Sequence, residues 1–506
     1  MAYIILSQMH TLYGFQYKWV ALVIINIATF VVSFDTGLVT LILPNIARDF
    51  HADINVTVWV PMSKFLMMAA FMPVFGKLSD IKGRKRYFNI GIVIFTIGTL
   101  LTAIASSIYE IPFYRAITGI GSAILIVNTR SLIVDIFPEN ERGKALGWHL
   151  FTVYLGHTLG PALGGIITAF WGWRFLFIIL IPISIVTLIL SHRMIKESAK
   201  QKQSMDWVGS LLLVGALIFT LIPITFGPQR DWTPLDIVIT EFWIPLTNIF
   251  VDAFVYITIP LIETFIAGIV ILTLFFVSQI RIKEPVLNLK LFIENKHFAS
   301  TNLQALLIYT AHFSIYVVIA FYLQLVKLMD PFWMGILLAV FPLVAAITSP
   351  MSGWFSDKYD QRDVRILSAG ITILSLFLLS RLTASSSIEF LIVSLILLGV
   401  GVGLFSPANT TECLTSLPSQ KRSYANGVLG MMRYAGQTLS YAISASVIGF
   451  YLPTQLFLEG GAIAAEQYVL GISQSLLFSA VLAAIAMLVA IVIRPRKNLT
   501  VKQKSK

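Results

Sequence analysis

What most restricts the fold of this 506-residue chain is a succession of apolar runs, each about the twenty residues that a helix needs to cross a bilayer's hydrocarbon core. They lie near 19–42, 56–76, 87–107, 109–134, 146–170, 173–191, 206–227, 257–279, 300–325, 333–355, 364–383, 387–411, 425–450 and 470–493. The expectation is an all-α integral membrane protein of fourteen transmembrane helices, an even number that places both termini on one side. Only 12% of the residues are charged, against about 25% in a soluble domain. A chain so poor in charge cannot cover itself with a water-compatible surface, so lipid is its solvent and the bilayer its first partner.

The loop charges orient the helices. With the N-terminus inside, the inner segments hold 82–86 (KGRKR), Arg142 and Lys144, 193–202, 281–296, 358–365, Lys421 and Arg422, and the basic tail 494–506. By this assignment about 27 of the 36 basic residues fall inside and about five outside, as the positive-inside rule requires. The net charge of +11 therefore reads as attraction to anionic lipid, and no nucleic-acid partner is expected. A plasma or inner membrane location with cytoplasmic termini follows. No small-residue cleavage site follows the first apolar stretch, so no leader is expected. The single cysteine, Cys413, excludes an intrachain disulfide and a thiolate metal cluster. The stretch from Leu235 to Ile280 is too long for one crossing. Segment 235–256 is read as extracellular, interfacial or re-entrant, because a fifteenth span would invert every later loop. Glu241, Asp252 and Glu263 are spaced so that a helix would align them on one face.

An internal repeat fixes the domain plan. Residues 119–147 recur at 399–427: Gly119, Gly121, Pro138, Arg142 and Gly147 return as Gly399, Gly401, Pro418, Arg422 and Gly427, and the register continues through Tyr154/Tyr434 and Gly156/Gly436. Gly76, Ser79 and Asp80 return as Gly353, Ser356 and Asp357. Shared hydrophobicity does not match Gly, Pro and Arg in one register, so the chain is two related halves. The expected plan is a six-helix half at 1–192, two inserted helices within 193–296 (about 206–227 and 257–279), a second six-helix half at 297–493, and a basic cytoplasmic tail at 494–506.

These residues resemble the major facilitator superfamily, specifically its fourteen-helix drug:H+ antiporter branch (QacA/EmrB-like). The stretch from Gly76 through Asp80, Gly83 and Arg84 to Arg86 is similar to the superfamily's loop motif, and Gly353, Asp357 and Arg362 echo it. Arg115 with Gly119 and Gly121 resembles the helix 4 motif, and Gly156, Gly160, Pro161, Gly164 and Gly165 resemble the antiporter motif of helix 5. The stretch 34–50 is similar to the helix 1 signature. The resemblance implies alternating access around a midplane cavity.

The residues fit such work physically. Asp80 can accept from Arg84 or a neighbouring helix end, forming a latch that holds one conformation; a plain positive-inside anchor is the alternative. Gly156, Gly160 and Gly164 form one groove for close helix packing, with Pro161 a kink that the second half lacks, since Tyr441 stands there. Asp35, Lys64 and Arg115 fall at matched depth, roughly 8–10 Å below the outer surface at 1.5 Å per residue. Charges there are costly unless paired or facing water, and this trio is the candidate for proton coupling. Lys64 departs from the branch, which usually carries an aromatic; it serves as counter-ion to Asp35 or discourages cationic cargo. His157, His312, Glu412 and Arg433 are candidates for a cavity, with packing for the histidines and a Glu412–Arg433 ion pair as the alternatives. The histidine spacing gives no metal-ligand pattern.

No phosphate loop is present, so no cofactor is expected and the proton gradient is the energy source. No clustered catalytic groups suggest an enzyme. The leading expectation is a monomeric, proton-coupled antiporter exporting amphipathic small molecules, with the small rôle of ionisable cavity residues favouring apolar or weakly charged cargo. A carrier of one defined solute (metabolite, siderophore or sugar) is the alternative.

Overall fold

The computed structural model describes residues 17–197, 206–227, 232–244, 249–282, 285–358, 360–418, 422–452 and 461–493. The long helices are α1 (Tyr17–Asp49), α2 (Trp59–Lys82), α3 (Arg84–Ala103), α4 (Glu110–Ile136), α5 (Glu139–Trp171), α6 (Trp173–Met194), α7 (Trp207–Phe226) and α8 (Leu261–Arg281). They continue with α9 (Lys296–His312, resumed as Ile315–Phe321 and a π turn at Tyr322–Val326), α10 (Pro331–Lys358), α11 (Gln361–Leu379), α12 (Ile388–Thr415), α13 (Arg422–Tyr451) and α14 (Gly461–Val492). The basic tail expected at 494–506 lies outside the described residues.

Twelve of these segments are long and apolar enough to cross a membrane. The two others, α11 and α13, fall short of that standard for different reasons. Within its first turns α11 carries Arg362, Asp363 and Arg365, and α13 is diluted by Gly, Ser, Gln and Tyr.

Segment 235–256 corrects the expectation of a purely helical chain. Strands β1 (Leu235–Ile244) and β2 (Ile249–Ile259) pair antiparallel between α7 and α8, with a register irregularity between Ile239 and Glu241. Runs such as 237–240 (IVIT) and 255–258 (VYIT) are β-branched and aromatic, which suits a pleated strand better than a helix. Glu241 and Asp252 are cross-strand partners, while Glu263 sits in the first turn of α8. The three carboxylates therefore share no helix face. Pro260 separates β2 from α8, supplying the fixed φ that suits a helix start.

The packing repeats when every helix number is raised by eight. The α1–α5, α2–α4, α3–α4 and α3–α6 contacts return as α9–α13, α10–α12, α11–α12 and α11–α14. The α2–α13 contact returns as α10–α5. Helix α7 lies against both α2 and α13 and so covers one of these two seams. There Trp59 stacks on Phe226 with ring centroids 6.1 Å apart, and Ser446 donates to the Ile224 carbonyl. The α7–α8 pair is tied at one end by Asp206, which caps α7 and accepts from Gln279 of α8 at 2.9 Å.

Corresponding helices use different chemistry at one place. A methyl group on Gly160 would lie 2.8 Å from both Leu38 N and Phe34 O, so α5 meets α1 backbone to backbone. In the second copy Ser440 and Ser444 stand where Gly160 and Gly164 stand in the first. Beside them α9 is interrupted, and Ser314 N donates to Ser440 Oγ at 2.8 Å while Ser444 donates to Ser314 Oγ at 2.7 Å. Serines satisfy the backbone freed by the break, as a lipid-embedded helix requires.

Overpacking at the α1–α5 contact costs about 1–3 kcal/mol. We expect Gly160→Val to lower the melting temperature of the detergent-solubilised protein. Gly147→Ala, where a new methyl meets nothing within 4 Å, should leave it unchanged.

Candidate functional site

Asp35, Lys64 and Arg115, on α1, α2 and α4, meet in one cluster. Arg115 grips Asp35 with two parallel bonds, Nη1 to Oδ1 at 2.7 Å and Nη2 to Oδ2 at 2.8 Å. Lys64 Nζ donates to Asp35 Oδ2 at 2.5 Å, to Thr36 Oγ1 at 2.8 Å and to the Val32 carbonyl at 3.3 Å. All three charged residues are fully buried. The Arg115 guanidinium also lies 5.6 Å from the Phe177 ring centre, and its Nε has no partner. Lys64 thus serves as counter-ion to Asp35. One carboxylate faces two cations.

The repeat shows that the bundle does not need this cluster to pack. Gly119 packs on Lys64 as Gly399 packs on Phe341 and Val344, and Gly121 packs on Phe95 as Gly401 packs on Thr372. Gly156 meets Ser33 and Phe34 as Gly436 meets Tyr309 and Thr310. These contacts set the register: Asp35, Lys64 and Arg115 correspond to Ala311, Phe341 and Leu395. The second copy builds the same helix packing without charge.

A cavity of about 150 Å³ lies beside the cluster. Val32, Ser33 and Thr36 of α1 line it, and the Thr36 hydroxyl accepts from Lys64. His157, His312 and Arg433 line it, His157 and His312 each bonding through Nδ1 to a carbonyl one turn back. Arg130, His149, Tyr154, Tyr309, Tyr316 and Gln437 also line it and were not singled out. Arg130 stands nine residues after Gly121 on α4, and no motif marks it. Because two arginines reach the cavity, the expectation of few ionisable lining groups is corrected.

Glu412 is not a lining residue. It accepts from Arg365 of α11 and pairs with His297 of α9 at 2.9 Å, whereas Arg433 bonds Thr410 Oγ1 at 2.5 Å and the Ser406 carbonyl at 3.4 Å. The suggested Glu412–Arg433 pair is therefore absent; Glu412 lies two residues beyond Thr410, about 200° around α12, and so faces away from Arg433.

At the α2–α3 turn Arg84 joins three helices, donating to Asp80 at 2.7 Å and to Asp135 of α4 at 2.6 Å. Gly83 takes φ 115°, a conformation that side chains resist. A side chain there would also strike Glu197, whose carboxylate accepts from the backbone N–H groups of Lys85 and Arg86 and caps α3. Glu197 lies over a hundred residues away in sequence, so no local pattern reveals it. Gly76 brings α2 near Val127 of α4. In the second copy Arg362 turns to the end of α14, bonding the carbonyls of Ala490 and Ile491, and Arg365 takes the interhelical carboxylate instead. Gly353 and Asp357 belong to α10, and their side chains lie outside the described residues.

The cavity is lined by the earlier part of α5 and of α13 and the later part of α4, placing it toward the α2–α3 turn end. Toward the other end α5 and α10 touch closely: Gly165 meets the Pro331 carbonyl and Gly335 meets the Pro161 carbonyl. Gly164 packs on Leu41 of α1. The helix 5 motif thus joins α5 to α1 on one side and to α10 on the other.

A many-helix bundle with paired packings, closed at one end around a central cavity, defines a multi-pass membrane carrier. The chain belongs to the Major Facilitator Superfamily, whose model matches residues 25–441 and 301–506. It is 28% identical over 439 residues to the riboflavin transporter RibZ of Clostridioides difficile (strain 630), covering 87% of this chain and 89% of that one. It is 30% identical over 444 residues to the multidrug resistance protein Stp of Mycobacterium tuberculosis (strain ATCC 25618 / H37Rv), covering 86% and 76%. Among solved structures, a bacterial homologue of the human lysosomal transporter Spinster, inward-facing and unoccupied, superposes with a TM-score of 0.64 at 15% identity, covering 94% of this chain and 96% of that one. These relatives are transporters, which supports a non-enzymatic role.

Removing one member of a buried ion cluster costs about 3–5 kcal/mol, while replacing the whole cluster by apolar groups is often neutral. We expect Asp35→Asn, which leaves Lys64 and Arg115 without their anion, to lower the melting temperature markedly. The triple replacement Asp35→Ala, Lys64→Phe and Arg115→Leu, copied from the second half, should restore it close to wild type.

Proposed function

We propose that this chain is a proton-coupled antiporter that exports amphipathic small molecules across the plasma or inner membrane by alternating access. It works as a monomer with both termini in the cytoplasm and crosses the membrane fourteen times, α11 and α13 included, in six-two-six order. This is the plan of the drug:H+ antiporter branch. The observation that carries the reading is the one-sided cluster: Asp35, Lys64 and Arg115 occupy positions that the second copy fills with Ala311, Phe341 and Leu395. Charge that packing does not require, held fully buried at membrane depth, is costly and is kept for work.

In the proposed cycle a proton from outside reaches Asp35 once the outer end has opened and cargo has left. The neutralised Asp35 no longer holds both Arg115 and Lys64, and the carrier closes outward and releases the proton to the cytoplasm. Helices α1, α2 and α4 lose their common tie, and Thr36 carries the change to the cavity. The Arg84–Asp80–Asp135 network acts as the cytoplasmic latch, tying α2 and α4 together while the cavity faces inward. The α5–α10 contact at Gly165 and Gly335 is the outer gate that opens in exchange. The proton gradient supplies the energy, with no cofactor. The similarity to Stp, a multidrug resistance protein, supports export of varied compounds.

A second reading, a carrier of one defined solute, is favoured by the comparable similarity to RibZ, a riboflavin transporter. Inverted vesicles energised acidic inside separate the two. Proton release on adding several unrelated amphipathic compounds, lost in Asp35→Asn, is the expected outcome. Silence across the panel from inserted protein would select the single-solute carrier. Undiminished proton-coupled transport by Asp35→Asn would remove Asp35 from the mechanism.

A further inference from the structure

The arginines of this bundle are not all balanced. Arg115 has Asp35, Arg84 has Asp80 and Asp135, and Arg365 has Glu412. Arg130 of α4 and Arg433 of α13 have no carboxylate partner among the described residues, and both line the central cavity. Arg130 Nη1 donates to Asn426 Oδ1 at 2.7 Å. Arg433 is held by the neutral oxygens of Thr410 and Ser406, and its Nε is buried without a partner. Among the described residues no aspartate or glutamate lines the cavity. Both side chains are half-buried and face the cavity, and a guanidinium without an anion there can take its partner from a ligand.

The remaining walls describe the rest of that ligand. Phe65, Phe313, Tyr316, Phe341 and Tyr434 present rings to the cavity, and Tyr309 lies under the Arg433 guanidinium with its ring centre 5.5 Å away. Such surfaces suit a flat aromatic body. Gln437 adds an acceptor, Oε1, that is buried and unpartnered. A cavity of about 150 Å³ has room for one or two rings.

We propose that the cavity selects aromatic organic anions, with Arg130 and Arg433 holding the anionic group and the rings stacking on its body. This narrows the cargo of the carrier proposed above and rests on that reading; it does not rest on proton coupling. Arg130 and Arg433 come from helices on opposite sides of the α2–α13 seam, so the anion would be gripped from both repeats at once.

Isothermal titration calorimetry on the purified full-length protein at pH 7.5 tests the charge preference directly. The probes are 2-naphthoate, its neutral analogue 2-naphthamide and its cationic analogue 2-naphthylmethylammonium. The anion should bind about tenfold or more tighter than the amide, the increment of a charge-assisted pair, and the cation weakest. Arg433→Gln and Arg130→Gln should each bring naphthoate close to naphthamide while leaving naphthamide binding intact, which also shows that the variants are folded. Arg433→Lys, which keeps the charge, should retain most of the preference. Equal or tighter binding of the cation, an anion preference unchanged in both glutamine variants, or binding of none of the three would overturn the proposal. Vesicles that release no protons while the anion preference stands would remove the antiport reading and leave this one intact.

Discussion

Everything distinctive about this molecule depends on one carboxylate, Asp35, held by two cations where neither water nor lipid headgroups reach it. A buried ion pair returns its desolvation cost only when its geometry is good and its remaining donors are satisfied. Here the geometry is bidentate on the Arg115 side, and three acceptors receive the Lys64 ammonium on the other. The cluster joins α1, α2 and α4, whereas the matching positions on α9, α10 and α12 are the uncharged Ala311, Phe341 and Leu395. The two copies therefore share a scaffold and differ in what can be switched. A proton at Asp35 changes the ties of one copy and leaves those of the other alone, which is the asymmetry that a proposed proton-driven cycle needs.

Cargo and energy source fit together under these proposals. An aromatic anion leaving the cell and a proton entering it move charge in the same electrical sense. Each elementary charge contributes about 2.3 kcal/mol per 100 mV of membrane potential. The proposed outward step thus draws on the potential twice. The conformation seen, with the cavity displaced toward the α2–α3 turn end and α5 against α10 at the other, is the one in which such a carrier collects cargo from the side bearing the basic loops. The uncovered α5–α10 seam and the α2–α13 seam backed by α7 are not equivalent, so a rocking motion would meet different resistance on its two sides.

Much of this was legible in the chain. Apolar run length alone gave the helices, because a bilayer leaves a spanning backbone few other solutions, and the glycine, proline and arginine register exposed the repeat. The cluster was legible because charges in apolar runs are rare and their depths could be counted along the helices. Other features depended on contacts that no local pattern encodes. The β-hairpin at 235–259 hid in an apolar stretch whose length resembled a span; its β-branched runs were the available signal. Glu197 reaches Gly83 across the whole first set of helices, and Arg130 becomes notable only when α13 brings Arg433 near it. Arg362 echoes the loop motif in sequence, yet it bonds carbonyls at the end of α14, and Arg365 takes the interhelical carboxylate.

The central proposal is that protonation of Asp35 returns the carrier to the form closed by α5 and α10. Spin labels at two exposed positions near that end, Phe170 on α5 and Trp333 on α10, would report the distance between them by double electron–electron resonance in nanodiscs at pH 8 and pH 5. In otherwise wild-type protein the longer-distance population should give way to the short one as the pH falls. In Asp35→Asn the short distance should dominate at both pH values. A pH-driven shift that survives unchanged in Asp35→Asn would contradict the role given to Asp35 and place the proton elsewhere.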